Sequence, residues 1–288
     1  MVRAKSTRPA PVKKKAAAKP VRRATQRKAK KKPQRQMPSW LRYVIAGLIA
    51  FLFLAAFFYF FIRPYSYRWK PCYGFKAYGV CMPSGFQVHG IDVSHYQGNI
   101  DWKMLTHTRQ GKFPIHFVFM KASEGGDYGD KAFITNFDSA KTHGFIRGAY
   151  HFYNPKTDPI RQADFFINSV KLDSGDLPPV LDIEKRGKDE NQLRRDLKLW
   201  LDKIEQHYKV KPILYTSYKF KTRYLNDSVF NSYPYWIAHY YVDSVEYRGE
   251  WIFWQHTDVG TLPGIREKVD LNIFNGSLEE LQLMTIKK

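Results

Sequence analysis

The sequence predicts an α/β protein, namely an irregular (β/α) barrel with eight strands and fewer than eight helices, preceded by one transmembrane helix. Short runs rich in Val, Ile, Phe and Tyr alternate with stretches whose apolar residues recur at helical spacing. This alternation occupies about 200 residues, a length that suits one barrel domain. The helical stretches become fewer toward the C-terminus, and a single long apolar segment precedes all of them. An open doubly wound sheet is the alternative, and no Gly-rich phosphate loop supports it.

The N-terminal segment, residues 1–42, carries most of the positive charge of the chain. It holds 16 Lys and Arg and no Asp or Glu, whereas the other residues hold 31 cations and 26 acids. Because it is rich in Lys, Ala and Pro, we expect a disordered basic tail in the cytoplasm. Anionic lipid headgroups are the favoured partner of such a cluster. Nucleic acid or ribosome binding is the disfavoured alternative, since no aromatic residues are interspersed for base stacking.

The apolar segment, residues 43–62, contains no charged residue and is long enough to cross a bilayer as a helix. Trp40, Tyr43 and Tyr59 lie near its ends, where interfacial aromatics belong. A cleaved signal peptide is the alternative, but the segment exceeds a typical signal core. The cations on its N-terminal side predict a single-pass protein of the bacterial cytoplasmic membrane. The N-terminus is then cytoplasmic and the C-terminal domain periplasmic or extracellular.

Residues 63–87 are interpreted as a linker that contains both cysteines of the chain, Cys72 and Cys81. In an oxidising compartment these two would close a small loop, and two free thiols are the alternative. Two thiols without further ligands do not make a metal site, and neither a metal nor a cofactor is expected.

The barrel is assigned to residues 88–288. The predicted strands cover residues 89–94, 117–123, 147–153, 179–184, 212–216, 235–239, 251–256 and 269–274. The predicted helices cover residues 131–143, 158–170, 193–208 and 218–225, with a shorter one near Asp101 capped by Asn99.

Asp182 and Glu184 end the fourth predicted strand, which is apolar enough to be buried on both faces. Residues i and i+2 of a strand share a face, so these carboxyls lie roughly 6–7 Å apart along the chain, in the range for two acids acting on one glycosidic bond. Catalytic groups of barrels collect at the C-terminal strand ends, a rule that also selects Asp92 and Asp270. The first and last strands must be neighbours, so Asp92 and Asp270 should be adjacent. The alternatives are a turn cap for Asp92 and a structural ion pair for Asp270.

Aromatic side chains at or just beyond predicted strand ends suit the flat faces of sugar rings, although core packing claims some of them. They are Tyr150, Phe152, Tyr215, Tyr218, Trp236, Tyr240, Tyr241 and Trp254. Phe152 and Trp254 are assigned to core or cleft wall without preference. His151 and His239 are interpreted as structural histidines, and a role as ligands or bases is the alternative.

Several motifs resemble those of glycoside hydrolase family 25, the Chalaropsis-type lysozymes. They are Gly90-Ile-Asp-Val-Ser-His-Tyr-Gln-Gly-Asn-Ile-Asp-Trp102, Lys121-Ala-Ser-Glu-Gly125 with Asp130, Gly148-Ala-Tyr-His-Phe152, Leu181-Asp-Ile-Glu184, Trp254-Gln255 and Val269-Asp-Leu-Asn272. They occur in the family order over residues 88–276.

This resemblance implies an N-acetylmuramidase, a barrel enzyme that cleaves the β-1,4 bond between N-acetylmuramic acid and N-acetylglucosamine in peptidoglycan. By motif position, Glu184 corresponds to the general acid and Asp182 to the acid that assists the 2-acetamido group, while Asp92 and Asp270 line the site. The expected sugar-binding residues are Tyr150, Tyr215, Trp236, Tyr240, Trp254 and Gln255. Retention and inversion both stay open. The rival functions are a non-catalytic membrane-tethered peptidoglycan-binding module and a scaffold that acts through the basic tail.

Overall fold

The computed structural model of the protein describes residues 37–63, 72, 74–240, 242, 244–245 and 251–287. The chain forms two compact units, Met1–Ile62 and Arg63–Lys288. The predicted basic tail lies outside the described residues except for its last six positions.

The first unit contains one long apolar helix. Helix α1 (Ser39–Phe57) continues as a π-helical turn over Phe58–Ile62, so it begins four residues before the predicted segment. The 24 residues Ser39–Ile62 have a mean hydropathy of 2.6 and bury no side chains. At 1.5 Å per residue this helix is about 36 Å long, which exceeds the roughly 30 Å hydrocarbon core of a bilayer. By length and composition it is a candidate membrane span.

The second unit is built on a closed barrel of eight strands, as predicted. These strands are β3 (Val88–Val93), β4 (Ile115–Glu124), β6 (Ile146–Phe152), β7 (Val180–Asp182), β8 (Ile213–Ser217), β9 (Tyr235–Ala238), β10 (Phe253–Gly260) and β11 (Val269–Phe274). Their order is β3-β11-β10-β9-β8-β7-β6-β4, and a β3–β4 pairing closes the circle. A two-residue strand, β5 (Tyr128–Gly129), extends the end of β4 as an antiparallel edge. Strand β10 runs four residues further than predicted and is irregular near its end.

Seven of the eight barrel strands are parallel, and β11 alone runs antiparallel to both of its neighbours. The cause is the connection that precedes it. Only residues 261–268 separate β10 from β11, and they contain no helix. A parallel neighbour needs a crossover of a dozen or more residues, whereas an antiparallel one can follow a short loop. The start of β11 therefore lies at the same barrel end as the carboxyl ends of the other strands.

Helices cover the outside of the barrel between strands. They are α2 (Trp102–Leu105), α3 (Phe133–Thr142), α4 (Pro159–Ser169), α5 (Glu190–Tyr208), α6 (Tyr218–Tyr224) and the C-terminal α7 (Leu278–Leu283). The four longer predicted helices are confirmed to within a few residues at their ends. The cap of α2 is Asp101, whose Oδ1 accepts from the Met104 N–H at 2.9 Å, so the assignment to Asn99 is wrong. Helix α7 and its Ser277–Glu280 capping box were not predicted.

The barrel interior is packed with large aromatic rings near its amino-terminal end. Phe117 and Phe119 of β4 contact Phe253, and Phe119 also stacks on Trp236 at 4.5 Å between ring centroids. Space for these rings comes from glycines in the neighbouring strands. A methyl group at Gly90 would lie 2.4 Å from the Phe117 ring, and one at Gly148 would lie 2.5 Å from Phe119. This close approach explains the glycine in two of the sequence motifs.

Part of the predicted linker is a small hairpin of the barrel unit. Strands β1 (Phe75–Ala77) and β2 (Val80–Met82) pair antiparallel, and a disulfide joins Cys72 to Cys81. The Tyr78 hydroxyl donates to the Phe113 carbonyl at 2.6 Å, and the Thr261 N–H donates to the Tyr78 carbonyl at 2.8 Å. These bonds attach the hairpin to the barrel.

Candidate active site

A cleft of about 250 Å³ opens at the barrel end where the seven parallel strands finish and β11 begins. Glu184 and Phe152 line it. So do eight other residues predicted for the site: Asp92, Asp182, Asp270, Tyr150, Tyr215, Trp236, Tyr240 and Gln255. Asp92 is the fifth residue of β3, Asp182 ends β7 and Asp270 is the second residue of β11. The structure thus brings all four predicted acids to one cleft.

Asp182 and Glu184 face the cleft because the extended backbone continues past the end of β7. The Ile183 N–H donates to the Tyr215 carbonyl at 2.9 Å, and the Thr216 hydroxyl donates to the Ile183 carbonyl at 2.6 Å. This pairing holds Ile183 in the outer core, fully buried. Because alternate residues of an extended strand face opposite sides, both flanking carboxyls point into the cleft. Asp182 and Glu184 were predicted from the sequence on this same argument.

Asp92 and Asp270 are direct partners in the β3–β11 register, with a hydrogen bond between the two carboxyls. Burial and, next, the adjacent Asp92 charge raise the pKa of Asp270 to about 9. Burial also raises the pKa of Asp92, but hydrogen bonds from its neighbours oppose that shift. At neutral pH the pair consequently holds one proton, carried by Asp270, and one negative charge, carried by Asp92.

Two amide side chains fix the Asp92 carboxylate. Gln255 Nε2 and Asn272 Nδ2 donate to the same oxygen, Asp92 Oδ2, at 2.8 and 2.7 Å. Gln255 Oε1 accepts from the Tyr215 hydroxyl at 2.7 Å and from the Tyr240 hydroxyl at 2.6 Å. Both amide groups are buried, so their hydrogen bonds determine a single orientation. Gln255, predicted to bind substrate, therefore connects two tyrosines to the charged member of the acid pair.

The Trp236 indole belongs to the same network, because its Nε1 donates to Asn272 Oδ1 at 2.8 Å. Asn272 was part of a quoted motif but was not predicted as a site residue. The signal was present, since Asn272 is two residues after Asp270 and must share its strand face. Lys121, which also lines the cleft and pairs with Glu124 at 2.6 Å, was likewise missed.

Asp182 and Glu184 have different surroundings. Asp182 is buried, and its Oδ1 has no hydrogen-bond partner among the described residues. Burial raises the pKa of Asp182 well above its usual value, and the charges of Glu184 and Asp92 add to this. Glu184 is open to solvent at the cleft. Desolvation by the cleft walls raises its pKa, whereas the ammonium groups of Lys185 and Lys121 lower it.

Trp254 is the predicted sugar-binding residue that the structure does not bring to the cleft. Its side chain is fully buried, it contacts Phe86 and Trp251, and its Nε1 donates to the His239 carbonyl at 2.8 Å. The reason is strand alternation: Gln255 faces the interior, so Trp254 must face outward. Tyr218 lies in a second, neighbouring cavity that Glu184 also lines, and Tyr241 lies outside the described residues.

His151 has a structural environment. It is fully buried, bonds Ser123 and Gln162, and stacks on Trp200 at 5.6 Å. In the described part of the chain, no three His, Cys, Asp or Glu side chains are grouped to hold a metal ion.

A closed β/α barrel with a carboxylate cleft at the carboxyl ends of its strands is an architecture of glycosidases. The sequence profile of the family described as "Glycosyl hydrolases family 25" matches residues 91–265. The chain belongs to this family, and it is a glycosidase.

Relatives and solved structures agree with this assignment. The chain is 39% identical to the "Uncharacterized protein YegX" of Escherichia coli (strain K12) over 218 residues, which are 75% of this chain and 79% of that protein. It is 34% identical to "Lysozyme M1" of Streptomyces globisporus over 215 residues, which are 67% of this chain and 70% of that lysozyme. The structure of a bacterial lysozyme from Streptomyces coelicolor is similar with a TM-score of 0.63 and 32% identity, covering 69% of this chain and 97% of that one.

Proposed function

We propose that the protein is a membrane-tethered muramidase that hydrolyses the β-1,4 bond between N-acetylmuramic acid and N-acetylglucosamine in peptidoglycan. The observation that supports this most is the convergence of Asp92, Asp182, Glu184 and Asp270 on one cleft within a family 25 barrel. The relatives named as lysozymes and as N,O-diacetylmuramidases support the same substrate.

Glu184 is the proposed general acid. A general acid must be protonated near the working pH and must reach the leaving oxygen. Two features of Glu184 favour this role: its pKa is raised, and its side chain is open to the cleft. It donates its proton to the glycosidic oxygen, the bond from that oxygen to C1 breaks, and the N-acetylglucosamine unit leaves as an alcohol.

Asp182 is the proposed partner of the sugar's 2-acetamido group or of the attacking water. Its unpartnered, buried Oδ1 is an acceptor that substrate or water can satisfy. In a substrate-assisted route, Asp182 accepts the acetamido N–H while the acetamido oxygen bonds to C1, and a water oxygen then bonds to C1 as the bond to the acetamido oxygen breaks. In a direct route, a water oxygen bonds to C1 and passes a proton to Asp182. Either route ends in hydrolysis, and they differ in the configuration at C1.

The Asp92–Asp270 pair is the proposed stabiliser of the positive charge that develops at C1. One proton on the pair leaves one negative charge facing the cleft, and two amide donors hold it in place without reorganisation.

The test is Glu184→Gln in the full chain, assayed by release of reducing ends from purified peptidoglycan. We expect a loss of about 10²- to 10⁴-fold in kcat. The matched control is Glu279→Gln, an exposed glutamate in the first turn of α7, which should cleave like the unsubstituted protein. Wild-type rates in Glu184→Gln contradict the general-acid role. Sedimentation with peptidoglycan in the absence of any cleavage by the wild-type protein indicates a binding module instead.

The proposed location is the bacterial cytoplasmic membrane, with the basic tail inside and the barrel outside. It is supported by the apolar helix Ser39–Ile62, the 15 cations before it and the Cys72–Cys81 disulfide. Alkaline phosphatase, which needs an oxidising compartment, should be active when fused after residue 288 and inactive when fused before residue 1. Release of the barrel in soluble form, with a new N-terminus after residue 62, identifies a cleaved signal peptide instead.

A further inference from the structure

Exposed aromatic side chains are rare in the barrel unit. Within its described residues, the exposed Phe, Tyr and Trp side chains are Phe75, Tyr96 and Tyr128, at 58%, 73% and 42%. Two of the three lie against one residue, His95. The Tyr96 ring packs on the His95 ring at 4.2 Å between centroids, and the Tyr128 ring meets it edge-on at 6.2 Å. Core packing does not explain two rings that face solvent.

The turn that carries these rings is rigidly held. Ser94 and Gln97 form a capping box around the short helix His95–Gln97, and Gln97 Nε2 donates to the Lys268 carbonyl at 3.0 Å. Asp130 Oδ2 accepts from the His95 backbone N–H at 3.0 Å and bonds its Nδ1 at 2.7 Å. The Asp130 carboxyl is fully buried, and it holds both the backbone and the ring of His95. A surface held in this way loses little entropy when it binds a ligand.

The position of this turn relates the rings to the cleft. Tyr96 lines the cleft that contains the four acids and follows Asp92 by four residues. Strand β3, which leads into the turn, is three strands away from β7, which presents Asp182 and Glu184. The sugars on either side of the cleaved bond must lie beside those two acids. Tyr96 thus lies on the β3 side of the cleft, and these two acids lie on the β7 side.

We propose that His95, Tyr96 and Tyr128 form an additional sugar-binding surface that stacks on a pyranose beyond the two sugars flanking the cleaved bond. This inference rests on the proposed function, since it names a further contact with the same glycan. One face of Tyr96 is covered by His95, and the other is free for the apolar face of a sugar ring. Asp130 acts as a positioning residue through His95. The consequence is a preference for long glycan strands over short ones.

The experiment compares Tyr96→Ala, Tyr96→Phe and Phe75→Ala in the full chain, in detergent micelles. Phe75 is the matched control, because it is an exposed ring on the hairpin outside the cleft. The substrates are peptidoglycan glycans of four and eight sugars. We expect Tyr96→Ala to lower kcat/KM for the eight-sugar glycan about tenfold, mainly through KM, and to lower it less for the four-sugar glycan. Tyr96→Phe keeps the ring and should retain the preference for length, and Phe75→Ala should match the unsubstituted protein.

Equal losses for both glycan lengths in Tyr96→Ala overturn the inference, as does a Tyr96→Ala protein that behaves like Phe75→Ala. If the unsubstituted protein cleaves neither glycan, the proposed function fails, and sedimentation with insoluble peptidoglycan still tests the surface. Less pelleting of Tyr96→Ala than of Phe75→Ala then supports it, and equal pelleting overturns it.

Discussion

The protonated carboxyl of Asp270 should make the fold less stable as the pH rises, and Asp270→Asn should remove this dependence. The pKa of Asp270 is raised from 3.8 to about 9 by burial and by the adjacent Asp92 charge. A carboxyl whose pKa is raised on folding contributes stability that is fully present below the unfolded pKa and is lost as pH rises through the folded pKa. Between pH 4 and pH 9 the folded protein thus holds a proton that the unfolded chain releases.

The expected magnitude follows from that one proton. Each pH unit in this window lowers the free energy of unfolding by about 1.4 kcal/mol, so the change from pH 5 to pH 8 is about 4 kcal/mol. The amide introduced by Asp270→Asn would not titrate and could still donate a hydrogen bond to Asp92. For a domain of this size, 4 kcal/mol corresponds to about 10 °C in Tm. The advantage of Asp270→Asn over the unsubstituted protein should therefore grow by about 10 °C from pH 5 to pH 8.

Thermal unfolding followed by tryptophan fluorescence in detergent micelles measures this difference. Asp127→Asn is the control, because its side chain is 80% exposed on a loop, and it should follow the unsubstituted protein at every pH. A Tm difference that stays constant between pH 5 and pH 8 would refute the shared-proton description of the acid pair.

Two further substitutions test the electrostatics and the packing. The Lys185 ammonium lowers the pKa of Glu184, so Lys185→Gln should move the alkaline limb of the pH profile of kcat to higher pH. An alkaline limb that stays at the same pH, or moves to lower pH, contradicts this. Gly90→Ala should lower the free energy of unfolding by about 1–3 kcal/mol, because the new methyl would lie 2.4 Å from the Phe117 ring. The control is Gly129→Ala, because its methyl group would lie 4.0 Å from the nearest atom, in the Phe165 ring. Equal melting temperatures of the two variants would contradict the packing argument.

The barrel strands were predictable from the sequence because all eight are short apolar runs with clear boundaries. The acids were predictable because two of them sit at i and i+2 after such a run, where the backbone geometry leaves no choice of face. The hairpin at residues 75–82 was not, since it is stabilised by a disulfide and by bonds to distant loops rather than by its own apolar pattern. Helix α7 was missed for a related reason, because its six residues bury one side chain, Leu281.

Trp254 and Gln255 show a limit of motif reading. Both belong to one quoted motif, yet adjacent residues of a strand face opposite sides, so only one of them can reach the cleft. The sequence did not say which, because β10 is buried on both faces over this stretch. The deciding information is the register of β10 with its neighbours, in which Gln255 lies opposite Asn272 and so approaches Asp92.

Asp270 was selected by a rule about carboxyl ends of strands, although it lies at the beginning of β11. Asp270 nevertheless lines the cleft because β11 is reversed, and the reversal follows from the short loop before it. The same reversal has a chemical consequence. An antiparallel neighbour places Asp270 directly opposite Asp92 in the sheet register, where the charge of Asp92 raises the pKa of Asp270. The short loop between β10 and β11 thus contributes to the raised pKa of Asp270, because it fixes the strand direction that brings the two acids together.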